Sequence, residues 1–476
     1  MLQRYEFLLN KTAIHGKVSM SICSPNQREE LQKMKQNKKY ASGQRSALYT
    51  LEGNPGLGMV LPFSLQQILA MFVTNMVPIG IIAAAAVPAL TETEIFRLMQ
   101  SAMIAAGIAT ILQATPIGKL GSGLPVFMGV SFTFVVPLSA IAAKYGYGAV
   151  TGTVLVGGLF EGLLGLTVRY WRRVMAPIVS AVVVTGIGLS LLSTAARSFG
   201  GGYAEDFGSV HNILIGFVTL QTCLLWMVLA KGGKKQLSIL VGLAAGYVAA
   251  LLFGKVDLSG LTADGWVALP KLLPYRPSFR IDAIISVVII YLVSATETLG
   301  DASALAGGVL HRGLTPEETT GVLTIDGFGS ALSGLFGGTP VTSYSENVGL
   351  TIMTKVVNRN VARVGGIIMV IAGFFPPVGR FFGTVPKPVI GGILLMVLGQ
   401  ILVSGVEMIA EAGFSMRNKL ITAISLSVAI GFTTSTEAGI WSSFPLAIQT
   451  VFSQNVVAVI FAVALVLNLV LPKNMD

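Results

Sequence analysis

Residues 338–355 read Gly338-Thr339-Pro340-Val341-Thr342-Ser343-Tyr344-Ser345-Glu346-Asn347-Val348-Gly349-Leu350-Thr351-Ile352-Met353-Thr354-Lys355. The stretch lies among long apolar runs, yet it opens on a glycine and a proline and carries a carboxylate and an amide at its middle. An earlier stretch opens the same way, Gly123-Leu124-Pro125-Val126, and reaches Ser131-Phe132. In both, the sixth and seventh residues after the proline are where polarity or aromaticity changes. Gly/Pro-interrupted apolar segments at corresponding places in two halves of a chain are a sequence mark of a transporter site, because broken helices expose backbone groups and helix N-termini near the bilayer midplane. Irregular backbone at that depth has to line a cavity.

The composition agrees. The 476 residues are 53% hydrophobic and 11% charged, with mean hydropathy +0.75; soluble domains carry about a quarter charged residues. That excludes an ordinary cytosolic enzyme, a disordered chain and a nucleic-acid binder whose pI of 9.6 reports phosphate contact. Cys23 and Cys223 are far apart, and His15, His211 and His311 are scattered. No disulfide framework, thiolate metal site or zinc site is expected, and no catalytic residue or cofactor is assigned.

The excess positive charge, +10, is a topology signal. Nine of the 32 Lys and Arg precede residue 60, among them Arg28, Lys33, Lys35, Lys38, Lys39 and Arg45. Residues 1–58 lack the apolar core and cleavage site of a signal peptide and read as a solvated cytoplasmic tail. Further clusters stand at Arg169, Arg172 and Arg173, at Lys231, Lys234 and Lys235, and at Lys355, Arg359 and Arg363. The positive-inside rule makes these cytoplasmic loops facing anionic lipid.

A spanning helix needs about 20 mostly apolar residues. Candidate spans run near 61–83, 96–115, 122–143, 147–168, 174–195, 209–230 and 236–254, then 282–304, 319–337, 339–357, 362–384, 388–408, 419–435 and 453–472. The fold class is therefore an all-α polytopic membrane protein of 14 spans, with 59–473 as the transporter domain. Both termini and all three basic clusters face the cytoplasm, in a plasma membrane of bacterial inner-membrane type. Glu92 and Glu94 lie outside; the basic segment 255–281 also lands outside and is the weakest fit.

Ionisable residues within spans are functional hypotheses by default. Glu297 and Asp301 are four apart in the eighth span, on one helical face; two like charges there repel, which favours one of them holding a proton. Asp326 lies in the ninth span, Glu346 in the tenth and Glu161 in the fourth. Glu161 stands near a cytoplasmic end and reads as structural. Asn347 supplies donor and acceptor, and Ser343, Tyr344 and Ser345 extend the polar run. An amide and a carboxylate opposite a second carboxylate suit a flat heterocycle with alternating N–H and C=O edges, with Phe132 and Phe134 as possible stacking faces.

The run from Glu346 to Lys355 resembles the signature of the nucleobase/ascorbate transporter family, Gln/Glu/Pro-Asn-x-Gly-x4-Thr-Arg/Lys/Gly, at all its fixed positions. Glu297-Thr298-Leu299-Gly300-Asp301, the Asp326 region, Ser131-Phe132-Thr133-Phe134 and Ser64-Leu65-Gln66-Gln67 are similar to further family blocks in order. The resemblance covers about residues 60–472. It implies two inverted seven-span repeats, short strands in spans three and ten, a core (59–168 and 282–384) and a gate (174–254 and 388–472), elevator-like movement and a homodimer. It further implies that Glu297 and Glu346 hold a nucleobase from two sides, with Phe132, Asn347, Ser131 and Ser345 completing the site. Asp301 and Asp326, with Glu297, would link the site to a coupling proton.

Two departures bear on substrate. Gln67 stands where members usually have His. Glu346 replaces the Gln common in purine members and matches uracil members, whereas Asp301 and the run Pro125–Phe134 are purine-like. The resulting expectation is a proton symporter for xanthine or uric acid, with uracil as the alternative. Its partners are the base, protons, membrane lipid and a second copy, and no nucleic acid. A rival class is an anion transporter on a related architecture, with half-helix N-termini holding sulfate or bicarbonate; carboxylates at the site oppose it. A membrane enzyme finds no motif in support.

Overall fold

The first expected repeat opens on a 28-residue helix, and the same sequence of elements then recurs. A computed structural model describes residues 47–476 except 172–175, 203, 257, 259–264, 435–438, 445–447, 450–451, 454, 473–474 and 476. The basic residues from Arg28 to Arg45, and Arg172 and Arg173, lie outside the described residues. In chain order come α1 (Leu57–Ala84), α2 (Glu92–Ala114), strand β1 (Met128–Val130), α3 (Val135–Tyr145), α4 (Tyr147–Leu166), α5 (Pro177–Phe199), α6 (Val210–Leu229) and α7 (Ser238–Leu252). Then follow α8 (Ile281–Leu310), α9 (Pro316–Leu335), strand β2 (Val341–Ser343), α10 (Ser345–Thr354), α11 (Arg359–Gly373), α12 (Pro376–Gly383), α13 (Lys387–Ala412), α14 (Met416–Thr434) and α15 (Val456–Val470).

Each of the fourteen apolar stretches coincides with one of these elements or an adjacent pair. Seven helices are long and apolar enough to cross a membrane unaided, or eight when α11 and α12, bent by 79° at a short break, count as one. Pro376 and Pro377 start α12 and account for the break, since proline can open a helix but not continue one. Spans three and ten are strand-plus-half-helix units: β1 leads through a short 3₁₀ turn (Phe132–Phe134) into α3, and β2 leads into α10.

Local chemistry repeats with the topology. The second helix of each half opens with a capping box, Thr91 with Glu94 for α2 and Thr315 with Glu318 for α9. In each, the threonine hydroxyl accepts from the N3 amide and the glutamate accepts from the N-cap amide. Packing is reciprocal: α2 lies on α11 and α4 on α9, so the second helix of each half packs on the fourth helix of the other; α5 lies on α13. Glycines set the approach. A Cβ on Gly107 would sit 2.6 Å from the Gly366 carbonyl, and one on Gly327 would sit 1.9 Å from the Gly162 nitrogen. Small residues permitting backbone contact are the usual means of tight helix association in lipid.

One feature departs from the sequence reading. Residues 47–53, expected within a solvated tail, dock on the start of α11. Leu48 is buried, its carbonyl accepts the Val357 and Asn358 amides, and Asn358 Nδ2 donates to the carbonyls of Ala47, Thr50 and Gly53. Within the 255–281 segment, described backbone is pinned to helix ends: the Leu273 amide donates to Leu335 O and the Ser278 amide to Gly148 O.

Candidate functional site

β1 and β2 form an antiparallel two-stranded ladder with Met128 opposite Ser343, Gly129 opposite Thr342 and Val130 opposite Val341. A two-stranded ribbon has two outer edges, and at membrane depth no water satisfies them. Side chains do so instead. On β1, Met128 N–H donates to Thr110 Oγ1 (2.9 Å) and Val130 N–H to Asn75 Oδ1 (2.6 Å). On β2, Val341 N–H donates to Ser330 Oγ (3.0 Å) and Ser343 N–H to Asp326 Oδ1 (3.1 Å). Each strand is thus held from outside by residues of its own half.

The ladder aims the turn before α3 and the N-terminus of α10 at a common cavity of about 200 Å³. Drug-sized ligands occupy pockets of roughly 300–1,000 Å³; this one suits a smaller molecule. On the ladder side Ser131, Phe132, Glu297, Ser345 and Glu346 line it, which are five of the six substrate-contact residues expected from the sequence. On the other side stand Val184 and Ile187 of α5 and Gln400, Ile401 and Ser404 of α13. The sequence reading missed these; only Gln400, an amide in an apolar helix, carried a signal.

Each carboxylate has a defined setting. Thr133 Oγ1 donates to Glu297 Oε2 at 2.9 Å, so the turn before α3 fixes a side chain of α8. Glu346 lies in the first turn of α10, where unpaired helix amides favour negative charge. Asp301 does not line the cavity; Ser343 Oγ and Ser345 Oγ donate to its Oδ2 at 2.6 and 3.0 Å. Asp326 is fully buried and receives the Ser343 amide on Oδ1 and the Thr298 hydroxyl on Oδ2 (2.8 Å), with Ser294 Oγ at 3.5 Å. Ion pairs at Lys144–Asp282, Lys255–Asp206, Arg312–Glu318 and Arg359–Glu52 lie near helix ends and connections. Among the described residues no lysine or arginine pairs with Glu297, Asp301, Asp326 or Glu346.

Two residues singled out in the sequence, Asn347 and Phe134, do not line the cavity. Asn347 turns away from the cavity: it is buried, and its Nδ2 donates to Gln67 O (3.1 Å) and contacts Met71 Sδ (3.4 Å), anchoring α10 to α1. Gln67, in turn, donates to Thr351 Oγ1 at 3.0 Å, so it acts as a strut there. Phe134 is a core residue against Tyr291, ring centroids 4.6 Å apart; Phe132 alone of the two reaches the cavity. Glu161, read as a structural residue near a helix end, is wholly buried and packed beside Asp326.

Residues 58–438 match the profile described as Permease family. The uric acid permease PucJ of Bacillus subtilis is 32% identical over 405 residues, covering 84% of this chain and 89% of that protein. The xanthine permease XanQ of Escherichia coli is 32% identical over 447 residues, covering 89% and 94%. The transmembrane domain of the cyanobacterial bicarbonate transporter BicA superposes with a TM-score of 0.55 at 16% identity, over 85% of this chain and 97% of that domain. That last likeness concerns the fold, a polytopic transporter fold in which this chain places its own carboxylates. With a paired-strand site of this kind, the signature at Glu346–Lys355 and relatives of this extent, the chain is a transporter, not an enzyme, and belongs to the nucleobase/ascorbate transporter family.

Proposed function

We propose that this chain is a secondary active transporter importing a purine nucleobase, xanthine or uric acid, together with protons. The observation that carries the reading is the pair Glu297 and Glu346 on the wall of one small cavity. Both are acceptors, so they favour a ligand offering N–H groups on two edges. Charge-assisted hydrogen bonds of this kind contribute about 1.5–3 kcal/mol each. Amides in the turn before α3 and at the start of α10 would supply donors for ring carbonyl oxygens, and Phe132 supplies a face. The relatives named for xanthine and uric acid support the purine choice.

The same residues argue against an anion. BicA is named as a bicarbonate transporter, and half-helix N-termini can hold an anion, but two carboxylates on the cavity wall repel one.

Proton coupling follows from charge. Carrying uncompensated carboxylates through a bilayer costs several kcal/mol per ion. A substrate N–H offsets one charge and a bound proton another, so the loaded site crosses more cheaply than the empty ionised one. The moving part would be the core, 59–168 and 282–384, against the gate, 174–254 and 388–472; α5 and α13 supply the gate wall of the cavity. Both termini would face the cytoplasm of a bacterial inner membrane, and the protein would work as a homodimer.

The test is uptake of radiolabelled xanthine competed by uric acid, uracil, sulfate and bicarbonate, with and without a protonophore. Competition by uric acid alone and collapse in protonophore are expected. Inhibition by uracil and not by uric acid would transfer the assignment to uracil, and inhibition by bicarbonate would defeat the nucleobase reading. Uptake that survives the protonophore would remove proton coupling.

A further inference from the structure

Glu161 is a fully buried carboxylate that the proposed site leaves unused. It lies on α4 between Gly158 and Gly162, the two glycines that let α4 touch α9 backbone to backbone. A Cβ on Gly327 would meet the Glu161 carbonyl carbon at 2.6 Å and one on Gly158 would meet the Gly327 carbonyl at 2.7 Å. That contact presses Glu161 against the residue preceding Gly327, which is Asp326. Glu161 is fully buried, and neither of its oxygens has a hydrogen-bond partner among the described residues.

The donors around it are engaged mainly elsewhere, with the Ser294 hydroxyl lying between Asp326 and Glu161. Tyr291 OH donates to Val154 O (3.3 Å) and Thr298 Oγ1 to Asp326 (2.8 Å), while Ser294 Oγ is directed at Asp326 (3.5 Å). The ionisable groups facing Glu161 are Asp326 from α9 and Glu297 and Tyr291 from α8; the ionisable residues of α3, Lys144 and Tyr145, sit at its far end beside Asp282. A carboxylate here would be a buried charge with no more than a shared Ser294 hydroxyl to offset it and two acidic neighbours. An acid would have an acceptor in Asp326, which is already oriented by the Ser343 amide and the Thr298 hydroxyl. From Asp326 a hydrogen-bonded path leads outward through Thr298 Oγ1 to Ser343 Oγ (3.2 Å) and on to Asp301 (2.6 Å).

We propose that Glu161 is a second proton-binding residue of the transport cycle, carrying a proton that it shares with Asp326 and exchanges with the substrate site along the Thr298–Ser343–Asp301 path. The step is a proton relay from a protonated Asp301: Asp301 donates to Ser343 Oγ, the Ser343 hydroxyl turns to donate to Thr298 Oγ1, Thr298 donates to Asp326 and Asp326 passes a proton to Glu161, each hydroxyl accepting one proton as it gives up its own, so that no net charge is created. Glu161 touches no substrate. It sets how many protons accompany a substrate.

This inference rests on the proton-coupled reading above, and the experiment separates the two. Purified protein in proteoliposomes is assayed for substrate uptake and for protons moved per substrate across a pH series, comparing the native chain with Glu161→Gln. Gln keeps the shape and an N–H donor toward Asp326 but cannot release a proton. The expected result is substrate affinity close to native, one proton fewer per substrate and a flattened pH profile. An unchanged proton ratio and profile in Glu161→Gln would overturn the inference while leaving proton coupling standing. Absence of proton movement in the native chain would overturn the coupling reading itself, and a sodium requirement lost in Glu161→Gln would make the site a cation site of another kind. Should Glu161→Gln fail to accumulate, infrared spectroscopy of the native protein decides. A protonated carboxylic acid that resists exchange in heavy water at neutral pH is expected from so enclosed a group, and its absence overturns the inference.

Discussion

Thr133 donates its hydroxyl to Glu297 at 2.9 Å, joining the turn that starts one half-helix to a carboxylate on the first long helix of the other repeat. The contact orients one carboxylate oxygen and leaves Glu297 facing the cavity. Thr133→Val keeps the β-branched shape and removes the donor. A hydrogen bond to a charged group contributes about 1.5–3 kcal/mol, so KM for substrate should rise about 10- to 100-fold, and Thr133→Ser should restore it. An unaltered KM in Thr133→Val would show that Glu297 is positioned by something else.

Glu346 separates the purine and uracil readings. A site built on hydrogen bonds rejects a ligand that leaves a buried polar group unpaired more strongly than an apolar pocket rejects a change of size. Glu346→Gln exchanges a pure acceptor for an amide, with a donor as well. Xanthine or urate uptake should stay measurable, and uracil uptake should be minor in both forms. Strong native uracil uptake, abolished in Glu346→Gln with no purine activity appearing, would reverse the substrate assignment. Equal amounts of both proteins in the membrane must be shown first.

The glycine contact between α4 and α9 makes a stability prediction. At Gly327 an added Cβ would sit 1.9 Å from a backbone nitrogen, which cannot yield as a flexible side chain can. Gly327→Ala should destabilise the detergent-purified protein by about 1–3 kcal/mol, seen as a lower thermal midpoint. Gly349, also helical, has nothing within 4 Å of its added Cβ, so Gly349→Ala should leave the midpoint unchanged or raise it slightly. Similar losses at the two positions would mean that the α4–α9 approach is not limiting.

Topology can be read by accessibility. Lys234 and Lys355 are exposed on basic connections expected inside, and Trp266 is 70% exposed on the segment expected outside. Cysteine at Trp266 should react with an impermeant thiol reagent in intact cells, and cysteine at Lys234 or Lys355 should react only after permeabilisation. The opposite pattern would invert the orientation.

The broken spans are legible because an unbroken transmembrane helix rarely carries a Gly-x-Pro opening followed by a polar run, and the carboxylates because ionisable groups in apolar stretches are rare. Which polar residue holds which backbone is not legible. Asn75, Thr110 and Ser330 cap the outer edges of the ladder, yet a Thr or Ser in a helix looks the same whether it bonds its own preceding turn or a distant strand. Asn347 adjoins Glu346 in sequence but not in direction, since successive helical residues are about 100° apart. Glu161 stands near a helix end by count of residues, and only the helix crossing at Gly158 and Gly162 reveals its neighbour. Val184, Ile187 and Ile401 leave no mark in the sequence, since an apolar side chain facing a cavity has the composition of one facing lipid.

The ladder also has a consequence for how the protein is made. Met128 and Ser343 are neighbours across it, yet 215 positions separate them along the chain (343 − 128). At about 5–20 residues per second, β1 leaves the ribosome roughly 10–40 s before its partner. Through that interval its inner-edge amides and carbonyls lack the pairing they later have, in surroundings where an unmet backbone group costs several kcal/mol. The first half cannot complete the cavity alone, and that cavity is among the last parts of the molecule to come into being. Newly inserted chains therefore need shelter in the insertion machinery until the second strand arrives, and a polypeptide truncated before residue 341 should be recognised as unfinished and degraded.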